Sequence, residues 1–100
     1  MDLYDDMDGM IRKTNTITLP AVARIIEAAG FVVKETSAAA YDTDAMVSVD
    51  VAGRDIHVQV CVDGSFSVNE SIDDSAMIFG ASFRRVNAIV PGIKARIAAK

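Results

Sequence analysis

Residues 46–69 read MVSVDVAGRDIHVQVCVDGSFSVN, and their periodicity decides the fold. Val47, Val49 and Val51 alternate with Met46, Ser48 and Asp50. Ile56, Val58, Val60 and Val62 alternate with His57, Gln59 and Cys61. Period-two alternation of β-branched residues marks strands with one buried face. Gly53-Arg54 between them suits a two-residue type II′ loop. That loop predicts Val51 opposite Ile56, Val49 opposite Val58 and Val47 opposite Val60. For the second turn, a two-residue Asp63-Gly64 loop would turn Phe66 and Val68 onto the polar face. A one-residue slip inverts every side chain, so the buried face selects a three-residue loop, Val62-Asp63-Gly64. Gly64 then takes the left-handed position of a bulge, with Val60 facing Phe66 and Val58 facing Val68.

Upstream, Ile17 to Ala29 reads as a helix whose apolar stripe is Leu19, Val22, Ile25, Ile26 and Ala29. Thr18 is the expected N-cap, Ile17 staples onto Val22, and Pro20 is tolerated in the first turn. Gly30 is the expected left-handed stop. Residues 1–16 form an acidic arm or short helix, with Leu3, Met7, Met10 and Ile11 on one face. Phe31 to Thr36 reads as a strand, and Ser37 to Asp44 as either a loop or an extension of both flanking strands. Downstream, Ser71 can cap a last helix. Ile72, Ala76, Phe79, Phe83, Val86 and Val90 recur at helical spacing, and Pro91 should end that helix after Val90. Residues 92–100 follow as a basic helical tail. The expected fold is a two-layer α+β domain spanning 17–100. Its four-stranded antiparallel meander, in the order α-β-β-β-β-α, has its helices packed on one sheet face.

One hundred residues suit one domain, and the apolar fraction of 51% supplies a core. The single cysteine excludes an internal disulfide, and a free thiol suits a reducing compartment, so the expected location is cytoplasmic. The acidic start lacks the apolar core of a signal peptide, and no apolar run approaches membrane-spanning length. The net charge of −4 is divided unevenly. Residues 1–8 carry −4, residues 9–74 carry −5 and residues 75–100 carry +5, which together recover −4.

Motifs for catalysis, phosphate loops or metal are lacking. Asp6-Met7-Asp8-Gly9 resembles part of a calcium loop, but Tyr4 and Asn15 stand where that loop needs acids. His57 is expected opposite Asp50, where an exposed ion pair is the plainer reading than an acid–base dyad. Cys61 has no neighbouring base to lower its pKa. Neither a catalytic residue, nor a metal, nor a cofactor is expected.

The function expected is therefore a non-enzymatic, acidic protein-interaction module. Its concrete form is a small inhibitor covering a basic, nucleic-acid-binding surface of a larger complex, an analogy of size and charge with small virus-encoded antagonists. The expected partner-binding residues are Asp42, Asp44, Met46, Asp50, His57, Gln59, Asp73 and Asp74. A first alternative is a homodimeric scaffold or chaperone-like protein whose self-interface is Phe79, Phe83, Val86, Ile89 and Val90. A second is nucleic-acid binding through Arg84, Arg85, Lys94, Arg96 and Lys100. The acidic body and the lack of interleaved aromatics weigh against it.

Overall fold

The computed structural model describes residues 3–71 and 77–99, with side chains described over 7–71 and 82–99. Helix α1 (Leu3–Lys13) runs through a π-helical turn (Thr14–Thr18) into α2 (Leu19–Ala28). Five strands follow: β1 (Val32–Ser37), β2 (Ala45–Val51), β3 (Arg54–Val60), β4 (Phe66–Ser71) and β5 (Met77–Phe83). A short 3-10 turn leads into α3 (Ile89–Ala98). The strands pair antiparallel in sequence order, β1-β2-β3-β4-β5. The α+β class is as expected, but the sheet has five strands rather than four.

The valine face forms the core. Val47, Val49, Ile56, Val58 and Val60 are fully buried, with Phe66 and Val68 beside them. Leu19, Val22 and Ile26 of α2 and Ile89 and Ile93 of α3 close the same cluster. Each such side chain contributes about 1.5–3 kcal/mol of transfer free energy. Helix α2 packs on β1 and β2, while α3 packs on β4 and β5. Gly92 brings α3 close to the sheet: a Cβ there would lie 3.1 Å from Phe83 and 3.2 Å from Val68.

The N-terminal helix departs from expectation at its middle. Thr18 is helical and makes no cap, and Ile17 is 61% exposed rather than stapled to Val22. The chain is already helical there, so no N-terminus exists to cap. The Leu19 amide instead donates to the Thr14 carbonyl, the wider π pattern. Pro20 lacks an N–H and crowds the carbonyl of the preceding turn, and one π turn relieves that clash without ending the helix. At the far end Gly30 has φ +95°, with Gly30 N–H bonded to Glu27 and Phe31 N–H to Ile26. That is the Schellman arrangement which Gly30 predicts.

The second hairpin follows its sequence. Val58 pairs with Val68 and Val60 with Phe66. Gly64 has φ +93°, and its amide donates to the Cys61 carbonyl. The first hairpin differs. Its loop is Ala52-Gly53, with φ of 52° and 82°, which is type I′ rather than II′. Val51 therefore faces Arg54, Val49 faces Ile56 and Val47 faces Val58. The offset from expectation is two residues, so the buried face is unchanged and alternation alone cannot detect it. Asp50 Oδ1 accepts the Gly53 amide at 3.1 Å and holds the turn.

The last third is the larger correction. The expected helix through Phe79 and Phe83 is in fact β5, with Phe83 opposite Phe66. Their rings lie 6.2 Å apart. Pro91 does not end a helix but sits in the first turn of α3, where a missing N–H costs nothing. Ser71 belongs to β4, and its expected capping role with Asp73 and Asp74 falls on residues 72–76, outside the described residues.

An ion cluster locks α3 to the sheet. Arg54 Nε and Nη2 each donate to the Glu70 carboxylate at 2.7 Å. The same guanidinium reaches the last carbonyls of α3: Ile97 at 2.7 Å, Arg96 at 3.1 Å and Ala99 at 3.0 Å. Those carbonyls are the unsatisfied, negative end of the helix. Arg96 Nε approaches Glu70 Oε1 at 3.2 Å without hydrogen-bond alignment. The Arg54 forks hold the Glu70 carboxyl below the usual glutamate value of 4.5, against the opposing effect of burial.

Ala52→Asn should stabilise the domain by about 0.5–1 kcal/mol, since Asn-Gly suits a type I′ turn and alanine does not, read as a higher urea midpoint at unchanged slope. Glu70→Ala should cost about 2–4 kcal/mol, because two guanidiniums lose their counter-charge. Glu70 has a depressed folded pKa, so its contribution is complete above pH 4.5 and disappears as pH falls through the folded value. Acid unfolding of Glu70→Gln, followed by circular dichroism, should therefore lack that part of the pH dependence.

Candidate functional site: the outer sheet face

Both α2 and α3 contribute to the core on the valine face, and not to the other side of the strands. Alternation along β2, β3 and β4 places Met46, Ser48 and Asp50, then His57 and Gln59, then Ser67, Asn69 and Ser71 on that side. These side chains are joined across the strands. His57 Nδ1 lies 3.2 Å from Ser48 Oγ, and Nε2 lies 2.7 Å from Ser71 Oγ. A hydroxyl can donate or accept, so either imidazole tautomer is satisfied. Gln59 Oε1 accepts from Ser67 Oγ and from Asn69 Nδ2, each at 3.1 Å. Ser48 and Asn69 are buried although they lie on this face.

The expected Asp50–His57 pairing does not form. The two-residue shift of the first hairpin puts His57 opposite Ser48 and Asp50 opposite Asp55. The charge of Asp55 is countered by Lys34 Nζ at 2.8 Å. That hydrogen bond lowers the Asp55 pKa and raises that of Lys34. Lys34 lies at a register shift of the edge strand β1, between Val33 and Glu35. A charged bulge of this kind discourages further strand addition.

Of the expected partner-binding residues, Met46, Asp50, His57 and Gln59 share this face. Asp42 and Asp44 lie near the opposite end of β2 from Asp50. Asp42 Oδ1 accepts from Thr43 Oγ1 at 3.0 Å, and Asp44 sits half-buried near the Cys61 thiol. Burial, with Asp44 and Asp63 nearby, pushes the Cys61 thiol up, which disfavours the nucleophilic thiolate. Asp73 and Asp74 lie outside the described residues. Asn15 in the π turn and Ala39 in the β1–β2 connection bind each other twice. The Asn15 amide donates to the Ala39 carbonyl at 3.1 Å and its oxygen accepts the Ala39 amide at 2.7 Å. Tyr41 adds a hydroxyl bond to Asp8. These contacts fix the loop that carries Asp42.

The residues expected to form a self-interface do not share one helix. Phe79 and Phe83 are in β5, Val86 is in the 3-10 turn, and Ile89 and Val90 open α3. Ile89 is fully buried in the protein's own core. Alternation places Ser48 on this face, though not among the expected partner-binding residues, and does not single out Ser67, Asn69 and Ser71. Their signal was present in the sequence as the polar half of each strand. Among the described residues, no His, Cys, Asp and Glu group is arranged to hold a metal ion, and no helix is long and apolar enough to cross a membrane.

Asn69→Ala should cost about 1–2 kcal/mol by stripping a donor from Gln59 within a buried network, measured by thermal unfolding. Comparison with protein-family models, with curated proteins and with solved structures finds no match.

Proposed function

We propose that the protein is a non-enzymatic interaction module that binds a basic protein surface through the outer face of its sheet. The observation that carries this reading is the cross-strand network of Ser48, His57, Gln59, Ser67, Asn69 and Ser71 on a face that neither α2 nor α3 covers. Side chains already held by one another lose little freedom on binding, which favours recognition. Glu35, Asp50 and Asp55 at the margin give that face a negative rim, partly relieved by Lys34. Complementary charge accelerates encounter and rejects acidic partners. In its finer form the partner is a nucleic-acid-binding protein, whose basic surface the module would occupy as an inhibitor in the cytoplasm.

A photo-crosslinking side chain placed at Gln59 tests this in cells of the native host, with a control at exposed Arg24 on α2. The Gln59 position should capture a defined basic protein that the Arg24 position does not. Asp50→Lys together with Glu35→Lys should reduce that capture about tenfold or more. Equal capture from both positions, or capture indifferent to charge reversal, would overturn the proposal.

A further inference from the structure

Away from the sheet face, a cleft of about 520 Å³ opens between the π turn, the β3–β4 loop and residues 84–87. Its apolar floor is Phe66 and Val86, and its polar groups are Thr18, Asn87, Arg84 and Arg85. The lining contains no acidic residue. Both arginines are exposed, and in a chain of net charge −4 they are a local reversal of sign.

Asp63 engages the Arg84 charge only loosely. The Asp63 carboxylate is the near acid, but its Oδ1 accepts from Ser65 N at 2.9 Å and Ser65 Oγ at 2.6 Å. Its Oδ2 stays 3.9 Å from Arg84 Nη2, beyond hydrogen-bond range. Arg84 is instead oriented by one bond to the Asp63 carbonyl at 3.2 Å. Among the described residues, Arg85 has no acidic partner within ion-pair distance. A second cleft of about 210 Å³ shares Thr18 and Gly64 with the first and adds both Lys13 and Asp63.

We propose that this cleft binds a small organic phosphate of mononucleotide size. The cleft is shallow and open to solvent, with room for a ligand of that size but not for its burial. Two guanidinium forks supply more donors than one carboxylate has lone pairs to use, whereas a phosphate monoester offers three terminal oxygens. The Thr18 hydroxyl and Asn87 amide add neutral partners, and the Val86 side chain offers an apolar surface for the body of the ligand. Only the local field matters over such distances, because salt screens the distant acids within about 10 Å.

The test is a titration of the isotopically labelled full chain at about 0.1 M salt, where that screening holds, following backbone amide resonances. The probes are adenosine 5′-monophosphate, inorganic phosphate and adenosine. The nucleotide should bind with a dissociation constant of about 10–1,000 µM, shifting Thr18, Gly64 and residues 84–87. Inorganic phosphate should shift the same amides at least about fivefold more weakly, and adenosine should not saturate. Arg84→Gln with Arg85→Gln should weaken the nucleotide about tenfold or more while leaving the melting temperature unchanged, since both side chains face solvent. Failure of the nucleotide to saturate, shifts centred elsewhere, or full affinity in the double variant would overturn the proposal. So would an oligonucleotide whose affinity grows with its length while the mononucleotide fails, which would make the surface a polyanion site.

Discussion

A sheet with a single apolar face needs cover on that face, and the rest of this molecule is arranged around supplying it. The valines and isoleucines of β2, β3 and β4 are withdrawn from water almost completely. No one helix of ten residues could span five strands, so α2 shields one side and α3 the other. The chain must therefore cross the whole meander before its second helix can dock. The glycine at 92 lets that helix settle close to Val68 and Phe83. Removing side-chain volume here is as consequential as adding it elsewhere in a core.

The middle of the chain was legible because its signals agree. Alternation, a glycine at a left-handed position and the need to bury Phe66 and Val68 all select one register for the second hairpin. The first hairpin shows the limit of the same reasoning. Ala52-Gly53 and Gly53-Arg54 both keep the valines inward, so the hydrophobic effect is indifferent between them. What favours the observed turn is longer in range: Arg54 leaves the loop and enters β3, where it meets Glu70 and the end of α3. Nothing local in the sequence announces that contact, which spans up to 45 residues.

The final third differs from expectation because phenylalanines at spacing four suit a helix and a strand equally well. Phe83 finds Phe66 across a ladder, and pairing with an existing sheet edge overrides a weak helical preference. Pro91 illustrates the same ambiguity: a residue without an N–H is as acceptable at a helix start as just past a helix end. The candidate site inherits these outcomes. Its four central residues came from alternation, which survives a two-residue shift, whereas the partner assigned to His57 depended on the register itself and changed with it.

The joining of Arg54 to the carbonyls of residues 96, 97 and 99 also bears on how the chain is made. During synthesis the β2–β3 and β3–β4 hairpins can assemble from neighbouring residues, and Glu70 can already receive Arg54. The guanidinium then still lacks its carbonyl acceptors, and half of the valine face remains wet. Closure must wait until residues 96–99 have been translated. A nascent chain paused between Ser71 and Ile89 would therefore hold a formed but half-covered sheet, the stage at which chaperones or a neighbouring nascent copy would find it most readily.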